Sequence, residues 1–409
     1  MQAEACVSVQ LLKERMKLDT LQFVIFPSPN IADPILKRLL ALLCESAPVY
    51  YVTSRPKEEF HEHSEPVKLN YILRSVLPQI WNENTIAFVA HPYWVHAAAS
   101  MHPKHMITYE PAHLDESDEG LYKACMQQLT AISSLVCSDS EMKCLDWAFR
   151  GYASLLLQEE SAVYDVLFQE AIHELIRSET TSVYRRQWSE RAAYYESLRE
   201  QSGPHETVSF LLSVYMYLLE DKNALRYAEE AFLQAVMQGR NNALITHYRF
   251  LSAIQAQQGN LTQAVSTYGI TAYSDADTNK YHSLLQFMAD GQGTTALFHI
   301  YRFNDDYRAA LSMLDLLSEQ NARHLSFQLY RETGRLEKAL GEVAASDLQT
   351  EQDRREFRIL SGSVEAMRGD RHTAIRLFME AAESDEDVLV QIIALDALDE
   401  KLRILEQGS

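Results

Sequence analysis

The chain has 409 residues, of which 47% are hydrophobic, and a formal net charge of −20. This composition is ordinary for globular protein and sufficient for two or three packed cores, so extensive disorder is excluded. An acidic surface repels phosphate backbones and anionic lipids, so we expect a protein or peptide partner with a basic segment, and neither nucleic acid nor membrane insertion.

Residues 1–20 are expected to form a tail that precedes the first domain. They contain no basic start followed by an apolar run, so no signal peptide is visible. The longest apolar run nearby, at 39–44, is far shorter than the roughly 18–20 residues of a membrane span. The five cysteines are odd in number and show no C-x-x-C pair, which indicates reduced thiols. We therefore expect a cytoplasmic protein.

The segment 21–175 has the pattern of an α/β domain. Asp33 and Pro34 stand at the N-cap and first position of a helix-period segment that follows the first apolar run. Continuous apolar runs that alternate with helices predict a Rossmann-like parallel sheet covered on both faces. The predicted strands lie at 21–26, 49–53, 86–90, 106–109, 135–137 and 154–157.

Four histidines fall between residues 86 and 110: His91, His96, His102 and His105. Their spacings of five, six and three do not share one helix face, and Pro103 separates the last two. Histidines 61, 63 and 113 keep a zinc site as an alternative, but we expect no metal. The favoured interpretation is that His91 follows a strand at the carboxyl edge of the sheet, where open α/β folds bind ligands.

After about residue 160 the strand pattern gives way to helical periodicity. We expect a helical linker at 176–205 and helical repeats at 206–409. Three turns carry a glycine followed five residues later by alanine, which allows a tight turn and close approach of two helices. They are Gly259 with Ala264, Gly334 with Ala339, and Gly369 with Ala374, and weaker copies stand at 219 and 305.

This second half resembles the tetratricopeptide repeat over roughly residues 206–385. The turn positions 219, 259, 305, 334 and 369 are separated by 40, 46, 29 and 35 residues, so the array is irregular, and the usual tryptophan and proline are missing. The resemblance implies a superhelix with a concave peptide-binding groove. Carried over by position, it places five residues on the groove side, although a solvated polar face explains each of them equally well: Arg249, Asn321, His324, Gln328 and Arg331.

The segment 20–170 is similar to the N-terminal half of a GT-B glycosyltransferase. In that family a Y-D-x-x-D-like element precedes an A-D-x-V-x-x-S strand and helix, and here Tyr109, Glu110 and Asp115 approximate the first while Ser138 and Ser140 stand in the second. The resemblance, together with the strand-end position of His91, implies a ligand-binding set of His91, Tyr109, Glu110, Asp115 and Ser138.

The departures from the family argue against catalysis by this chain alone. Helical repeats stand where the second Rossmann-like domain should be, and the loop "FPSPNIADP" after the first strand has no glycine for close approach to a phosphate. Neither a P-loop nor G-x-S-x-G occurs. We therefore expect no catalytic residue, no cofactor and no bound sugar nucleotide.

The sequence thus favours a non-catalytic adaptor protein with a degenerate glycosyltransferase-like domain and a tetratricopeptide-like superhelix. Two alternatives stay open. One is a glycosyltransferase, or a subunit of one, that needs a partner and would bind a sugar nucleotide. The other is a regulator whose repeats sense a specific peptide.

Overall fold

The structure, a computed structural model, describes residues 21–27, 33–53, 70–73, 77–112, 119–158, 162–177, 182–317, 319–343, 350–381 and 395. The expected tail at 1–20 and most of the glycine-free loop after the first strand lie outside these residues. No described helix combines the length and the apolar character of a membrane span.

A parallel sheet forms the centre of the N-terminal part. The described strands follow the order β3-β2-β1-β4-β5-β6-β7, and every neighbouring pair is parallel. They are β1 (Gln22–Phe26), β2 (Val49–Thr53), β3 (Asn70–Leu73), β4 (Thr85–Val89), β5 (His105–Glu110), β6 (Leu135–Ser138) and β7 (Ser154–Leu156).

Burial on both faces explains why the strands read as continuous apolar runs. Every residue of β1, β4, β5 and β6 is buried, which is the environment of a parallel sheet covered by helices on each side. The predicted fold class, a Rossmann-like parallel sheet followed by a helical array, is confirmed.

The helices that accompany the sheet begin with one whose start is visible in the sequence. Asp33 caps its first turn by accepting from the backbone amides of Ile35 and Leu36 at 2.8 and 3.3 Å, and Pro34 fits the first helical position because its missing N–H would be unbonded there. The helices are α1 (Pro34–Ser46), α2 (Leu77–Ile80), α3 (Val95–Ala99), α4 (Glu119–Ile132), α5 (Glu141–Phe149) and α6 (Ala162–Arg177).

The remaining helices run from residue 183 to residue 381. They are α7 (Val183–Ser202), α8 (Glu206–Leu218), α9 (Ala224–Met237), α10 (Asn241–Gln257), α11 (Leu261–Gly269), α12 (Asp275–Ala289), α13 (Gly293–Phe303), α14 (Tyr307–Met313), α15 (Glu319–Glu332), α16 (Leu336–Glu342), α17 (Glu351–Met367) and α18 (Arg371–Ala381).

The chain divides into two compact units, and the first of them is discontinuous. It comprises Met1–Leu145, Tyr152–Thr181 and Tyr330–Ser409, whereas the second comprises Asp146–Gly151 and Ser182–Leu329. The helices after residue 330 thus group with the sheet. The expected boundaries placed the domains at 21–175, 176–205 and 206–409. They were drawn where the strand pattern changes to a helical pattern, and that change does not indicate which helices pack against the sheet.

Within the first unit, two repeat turns lie directly against helices of the sheet layer. The backbone carbonyl of Glu332 accepts from Gln127 Nε2 of α4 at 2.9 Å. A Cβ added to Gly334 would lie 3.0 Å from Gln127, and one added to Gly369 would lie 2.6 Å from Cβ of Ser100. These turns need glycine for space as well as for backbone conformation.

The second unit is a repeat-like array of helices. Its turns at Glu220, Gly259 and Asp305 have φ of 61°, 82° and 60°, so the two weaker sequence copies adopt the same left-handed turn with a non-glycine residue. Ala224 and Ala228 of α9 pack in a common core with helices α8 and α10. In the linker region, Tyr195 of α7 stacks on Tyr215 of α8 with ring centroids 6.1 Å apart.

A further turn of the same kind lies within the long interval of 46 residues between the second and third turns: Gly291 has φ of 71°, and Ala296, five residues later, is 0% exposed. Helix α13 contacts both α10 and α11 and pairs with α14 through the turn at Asp305. Helix α12 pairs with α13 through the turn at Gly291, as α10 pairs with α11 through the turn at Gly259.

Candidate functional site

The strand order places a possible ligand crevice between β1 and β4. The sheet runs outward from β1 through β2 and β3 in one direction and from β4 to β7 in the other. Open α/β sheets bind ligands outside the carboxyl ends of the strands at such a reversal of strand order. A ligand site is therefore expected at the end of β1 and the residues after β4.

This position is filled by the chain's own tryptophan. Trp94 is 0% exposed and its indole Nε1 donates to the carbonyl of Pro27, just after β1, at 2.9 Å. Its ring lies 5.7 Å from the ring of Phe26. Trp94 belongs to a single 3-10 turn, Pro92–Trp94, that follows β4. The side chain thus spans from the end of one strand to the end of the other.

His91 supports this turn from within the core. It is 0% exposed, its Nδ1 accepts from the backbone amide of Tyr93 at 3.4 Å, and its ring lies 6.0 Å from that of Tyr122. A fully buried imidazole that caps its own turn has no open side for a ligand in this structure.

A second group of polar residues lies at the carboxyl ends of β1, β5 and β6. The hydroxyl of Tyr109, in β5, donates to Oδ2 of Asp33 at 2.9 Å. Asp139, which follows β6, accepts from the backbone amide of Ala112. Burial raises the pKa of the Tyr109 hydroxyl, and Asp139 and Asp33 raise it further. The phenol is therefore held protonated as a hydrogen-bond donor.

Glu110 and Ser138 contribute to the same edge. Glu110 is 7% exposed and forms an ion pair with Lys143 of α5 at 3.0 Å, while Lys143 Nζ also donates to the carbonyl of Pro111 at 2.8 Å. Ser138 Oγ accepts from the amide of Ser140 at 3.1 Å. Asp115, the remaining member of the expected set, lies outside the described residues.

The charge of this edge is unfavourable for anions. Asp33, Asp139 and Glu110 are three carboxyl groups at this edge, and the ammonium of Lys143 is paired with Glu110. The ammonium is already engaged by a carboxylate and a carbonyl. The phosphates of a sugar nucleotide would therefore meet repulsion here.

The other histidines of the cluster do not converge on a metal. Burial lowers the pKa of His96 to about 4, a hydrogen bond with Gln128 opposes this, and Arg371 adds to it. His105 Nδ1 lies 3.1 Å from Ser134 Oγ, and His102 adopts a left-handed backbone with φ of 48°. Among the residues that the structure describes, no three His, Cys, Asp or Glu side chains could hold a metal ion together.

We predict that Asp139→Asn stabilises the first unit at neutral pH. Burial first, and the charge of Asp33 as well, raise the pKa of the Asp139 carboxyl. The folded chain therefore keeps this proton longer than the unfolded chain, and stability falls as the pH rises above the ordinary carboxyl range. The amide removes this charge while its oxygen can still accept from Ala112.

Urea denaturation at pH 4.5 and pH 7.5 checks the prediction, with hydrogen exchange in β5 and β6 as the readout. The wild-type chain should lose stability between the two values, and the variant should lose less. The matched control Glu83→Gln alters an exposed carboxylate of the same unit. Equal pH dependence of Asp139→Asn and wild type would contradict the assignment.

The groove residues expected from the repeat pattern fall into both units. Arg249 belongs to the second unit, where its Nη2 donates to Asp277 Oδ1 at 3.2 Å. Arg331 belongs to the first unit and donates to Glu356 Oε2 at 3.3 Å. Both arginines therefore already bind a carboxylate of the chain.

His324 and Gln328 form a short network in the second unit. Gln328 Nε2 lies 2.7 Å from His324 Nε2, and Gln328 Oε1 accepts from Arg302 Nη1 at 2.8 Å. Asn321 lies in α15, but its side chain is outside the described part of the structure. The network is polar and partly exposed.

Sequence reasoning missed four polar residues that these contacts involve. Asp139 and Lys143 follow a predicted strand, so their position at the carboxyl edge was a usable signal. Asp277 and Arg302 carry no such signal, because their roles depend on how α12 and α15 pack. Asp33 was expected as a helix cap and proves to be a partner of Tyr109 as well.

Comparison of the sequence with models of protein families gives no match, and comparisons with curated proteins and with solved structures give none either.

Proposed function

We propose that this chain is a non-catalytic interaction protein that binds a partner protein through its helical array. The observation that carries the proposal is the position of Trp94, which fills the point between β1 and β4 where an open parallel sheet ordinarily holds its ligand. Because Trp94 occupies this crevice as a core side chain, the crevice does not serve as a substrate site on this proposal.

The resemblance to tetratricopeptide repeats supports the binding role. Turns at Gly259, Gly334 and Gly369 have φ of 82°, 76° and 84°, and Ala264, Ala339 and Ala374 are 0% exposed. These are the turn and the close helix contact that such a repeat requires. Stacked helix pairs of this kind expose long surfaces that bind peptides and helices.

On this proposal, the α/β domain has the arrangement of the N-terminal half of a GT-B glycosyltransferase and is a degenerate form of it. The continuous parallel sheet and the position of Tyr109 and Glu110 at a strand end support the similarity. The acidic edge formed with Asp33 and Asp139 argues against a bound sugar nucleotide.

Charge defines the kind of partner. Residues 151–409 carry 24 basic and 39 acidic groups, a net charge of −15, which attracts basic segments at long range and is screened over about 8 Å at physiological salt. Short-range recognition rests on groups such as Arg249, His324 and Gln328, whose present partners belong to the chain itself and can be exchanged.

Affinity capture with the full chain as bait, followed by mass spectrometry and by measurement of binding to each purified candidate, tests the proposal. We expect a partner whose association slows with added salt. Arg249→Ala should weaken its binding by roughly 10- to 100-fold, because a lost charged hydrogen bond costs roughly 1.5–3 kcal/mol. The control Arg226→Ala changes an exposed arginine of α9 and should have little effect.

Enzymatic activity of the chain would contradict the proposal. Turnover of a sugar nucleotide by the purified chain, abolished by Glu110→Gln, would overturn the proposal and favour the glycosyltransferase alternative. Binding of a partner to Arg249→Ala with unchanged affinity would remove the helical array as the recognition element.

A further inference from the structure

An open cavity of about 200 Å³ lies within the first unit, at the amino-terminal edge of the sheet. One wall comes from the sheet layer, through residues 102–106, which lead into β5, and through Ser134, which precedes β6. The other wall comes from the helices after residue 330, through Glu337 of α16 and through Met367 and Arg368 at the end of α17. We call this space the β5 entry cavity.

Two glycine turns keep the walls of the β5 entry cavity in place. The turn at Gly334, just before α16, packs on α4, because an added Cβ would lie 3.0 Å from Gln127. The turn at Gly369, just after α17, packs on the end of α3, where an added Cβ would lie 2.6 Å from Cβ of Ser100. Since both turns already contact the sheet layer, the second wall cannot move closer to the first, and the cavity stays open.

The most buried part of the cavity lining is apolar. Met106 and Met367 are 3% and 4% exposed, and Ile132 at the end of α4 lies beside them in the lining. His105 Nδ1 is 3.1 Å from Ser134 Oγ, so these polar groups are already paired. An apolar cavity of roughly 150 Å³ holds a benzene molecule. The β5 entry cavity therefore has room for a small apolar group and part of a polar one.

The exposed part of the lining carries charges of both signs. The ammonium of Lys104 has no ion pair or hydrogen bond with any residue that the structure describes, and its backbone amide is held by the Thr85 carbonyl at 2.9 Å. Arg368 donates through Nε to Glu337 Oε1 at 3.0 Å and through Nη1 to Glu365 Oε1 at 2.9 Å. One guanidinium thus serves two carboxylates, which leaves one negative charge in excess.

These opposite charges indicate the kind of ligand. A plain anion would pair with Lys104 and be repelled by Glu337, whereas a plain cation would meet the reverse. A zwitterion satisfies both charges, and the apolar lining adds a preference for a hydrophobic group. An α-amino acid carries an ammonium, a carboxylate and a side chain on one carbon atom. The lining therefore fits an amino acid better than it fits a simple acid or amine.

We propose that the β5 entry cavity binds a small α-amino acid with an apolar side chain. The carboxylate of the ligand pairs with Lys104, its ammonium with Glu337, and its side chain packs on Met106 and Met367. Because the ligand contacts both walls, its binding strengthens the association of α16 and α17 with the sheet layer. The inference goes beyond the proposed function, because it requires no protein partner.

L-Leucine is the probe, and isothermal titration calorimetry of the full chain measures its binding. Two analogues each remove one charge: 4-methylpentanoate lacks the ammonium, and 3-methylbutylamine lacks the carboxylate. We expect leucine to bind with a Kd of about 1 mM or lower, within the range of enzyme affinities for metabolites. Each analogue should bind roughly three- to tenfold more weakly, because partly exposed ion pairs contribute modestly to affinity.

Single variants assign the two charges through the same analogues. Lys104→Ala should weaken leucine binding by roughly three- to tenfold and should not weaken binding of 3-methylbutylamine, which has no carboxylate. Glu337→Gln should weaken leucine binding by a similar factor and should not weaken binding of 4-methylpentanoate. General damage to the fold would not produce losses that depend on which charge the ligand carries.

Matched controls separate the cavity from the rest of the first unit. Ala99→Leu enlarges a side chain of the lining and should abolish leucine binding. Lys37→Ala and Glu83→Gln change an exposed lysine and an exposed glutamate elsewhere in the unit and should leave all three affinities unchanged. Urea denaturation shows whether each variant is folded.

Hydrogen exchange locates the ligand without any variant. Saturating leucine should slow the exchange of amides at the start of β5 and at the end of α17, because a bound ligand stabilises the contacts between the walls. The amides of α10, in the second unit, should exchange at an unchanged rate. Equal slowing throughout the chain, or none at β5 and α17, would count against the proposed position.

Three calorimetric outcomes would overturn the proposal. One is the absence of saturable leucine binding up to about 10 mM, which is well above the expected Kd. Another is binding of 4-methylpentanoate as tightly as leucine, which would make the cavity a site for organic acids. The third is leucine binding that neither Lys104→Ala nor a folded Ala99→Leu variant changes, which would place the ligand elsewhere.

Discussion

Gly369→Ala is expected to destabilise the first unit by about 2–4 kcal/mol. The residue has φ of 84°, where an alanine costs roughly 1–2 kcal/mol, partly offset by the lower entropy of the unfolded chain. Its new Cβ would also lie 2.6 Å from Cβ of Ser100, and overpacking of this kind costs a further 1–3 kcal/mol or so.

Gly259→Ala is the matched control for this prediction. Gly259 occupies the equivalent turn with φ of 82°, but no described atom lies within 4 Å of the position of its Cβ. Its replacement should cost only about 1 kcal/mol. Hydrogen exchange in β5 for Gly369 and in α10 for Gly259 measures the two losses.

A compensating change identifies the cause. Ser100→Gly removes the atom that the new methyl group would meet, so the double variant should recover part of the stability lost by Gly369→Ala. If Gly369→Ala and Gly259→Ala cost the same, the turn at Gly369 is not packed against α3 as described.

Trp94→Ala is expected to cost about 3–5 kcal/mol of stability in the first unit, the range for truncation of a fully buried large aromatic side chain. The loss includes contact with Phe26 and the hydrogen bond to Pro27. Trp94→Phe keeps a ring and loses the indole donor, so it should cost less. Urea denaturation with exchange in β1 and β4 as the readout distinguishes the two.

A small loss of stability in Trp94→Ala would change the interpretation of the space between β1 and β4. If Trp94→Ala reduced stability by less than about 1 kcal/mol, the space between β1 and β4 would be open to solvent and available to a ligand. The proposal of a non-catalytic domain would then lose its main support.

The sheet was predictable where strands are buried on both faces. β1, β4, β5 and β6 read as apolar runs because neither face meets water. The strand Asn70–Leu73 was missed because four residues with an asparagine and a tyrosine give no clear period. The glycine turns were predictable because glycine favours the left-handed conformation that they need. Glu220 and Asp305 adopt the same conformation, and no glycine marks their turns in the sequence.

The candidate site was predictable only in its location. Tyr109, Glu110 and Ser138 do lie at the carboxyl ends of their strands, which follows from chain order. Asp33, the partner of Tyr109, caps a helix 76 residues earlier, whereas Lys143, the partner of Glu110, follows β6 and could be placed from chain order. The pairing of Arg249 with Asp277 depends on how α12 packs against α10, which the spacing of the turns does not indicate.

The discontinuous first unit has a consequence for synthesis of the chain on the ribosome. Gln127 donates to the carbonyl of Glu332, and the hydroxyl of Tyr152 donates to the carbonyl of Thr333. Thr333 is synthesised 181 residues after Tyr152. At roughly 5–20 residues per second, that delay lasts about 10–40 s. Throughout it, the contacts between the sheet layer and the turn after α15 cannot form, so the first unit stays incomplete until residue 333 has been synthesised.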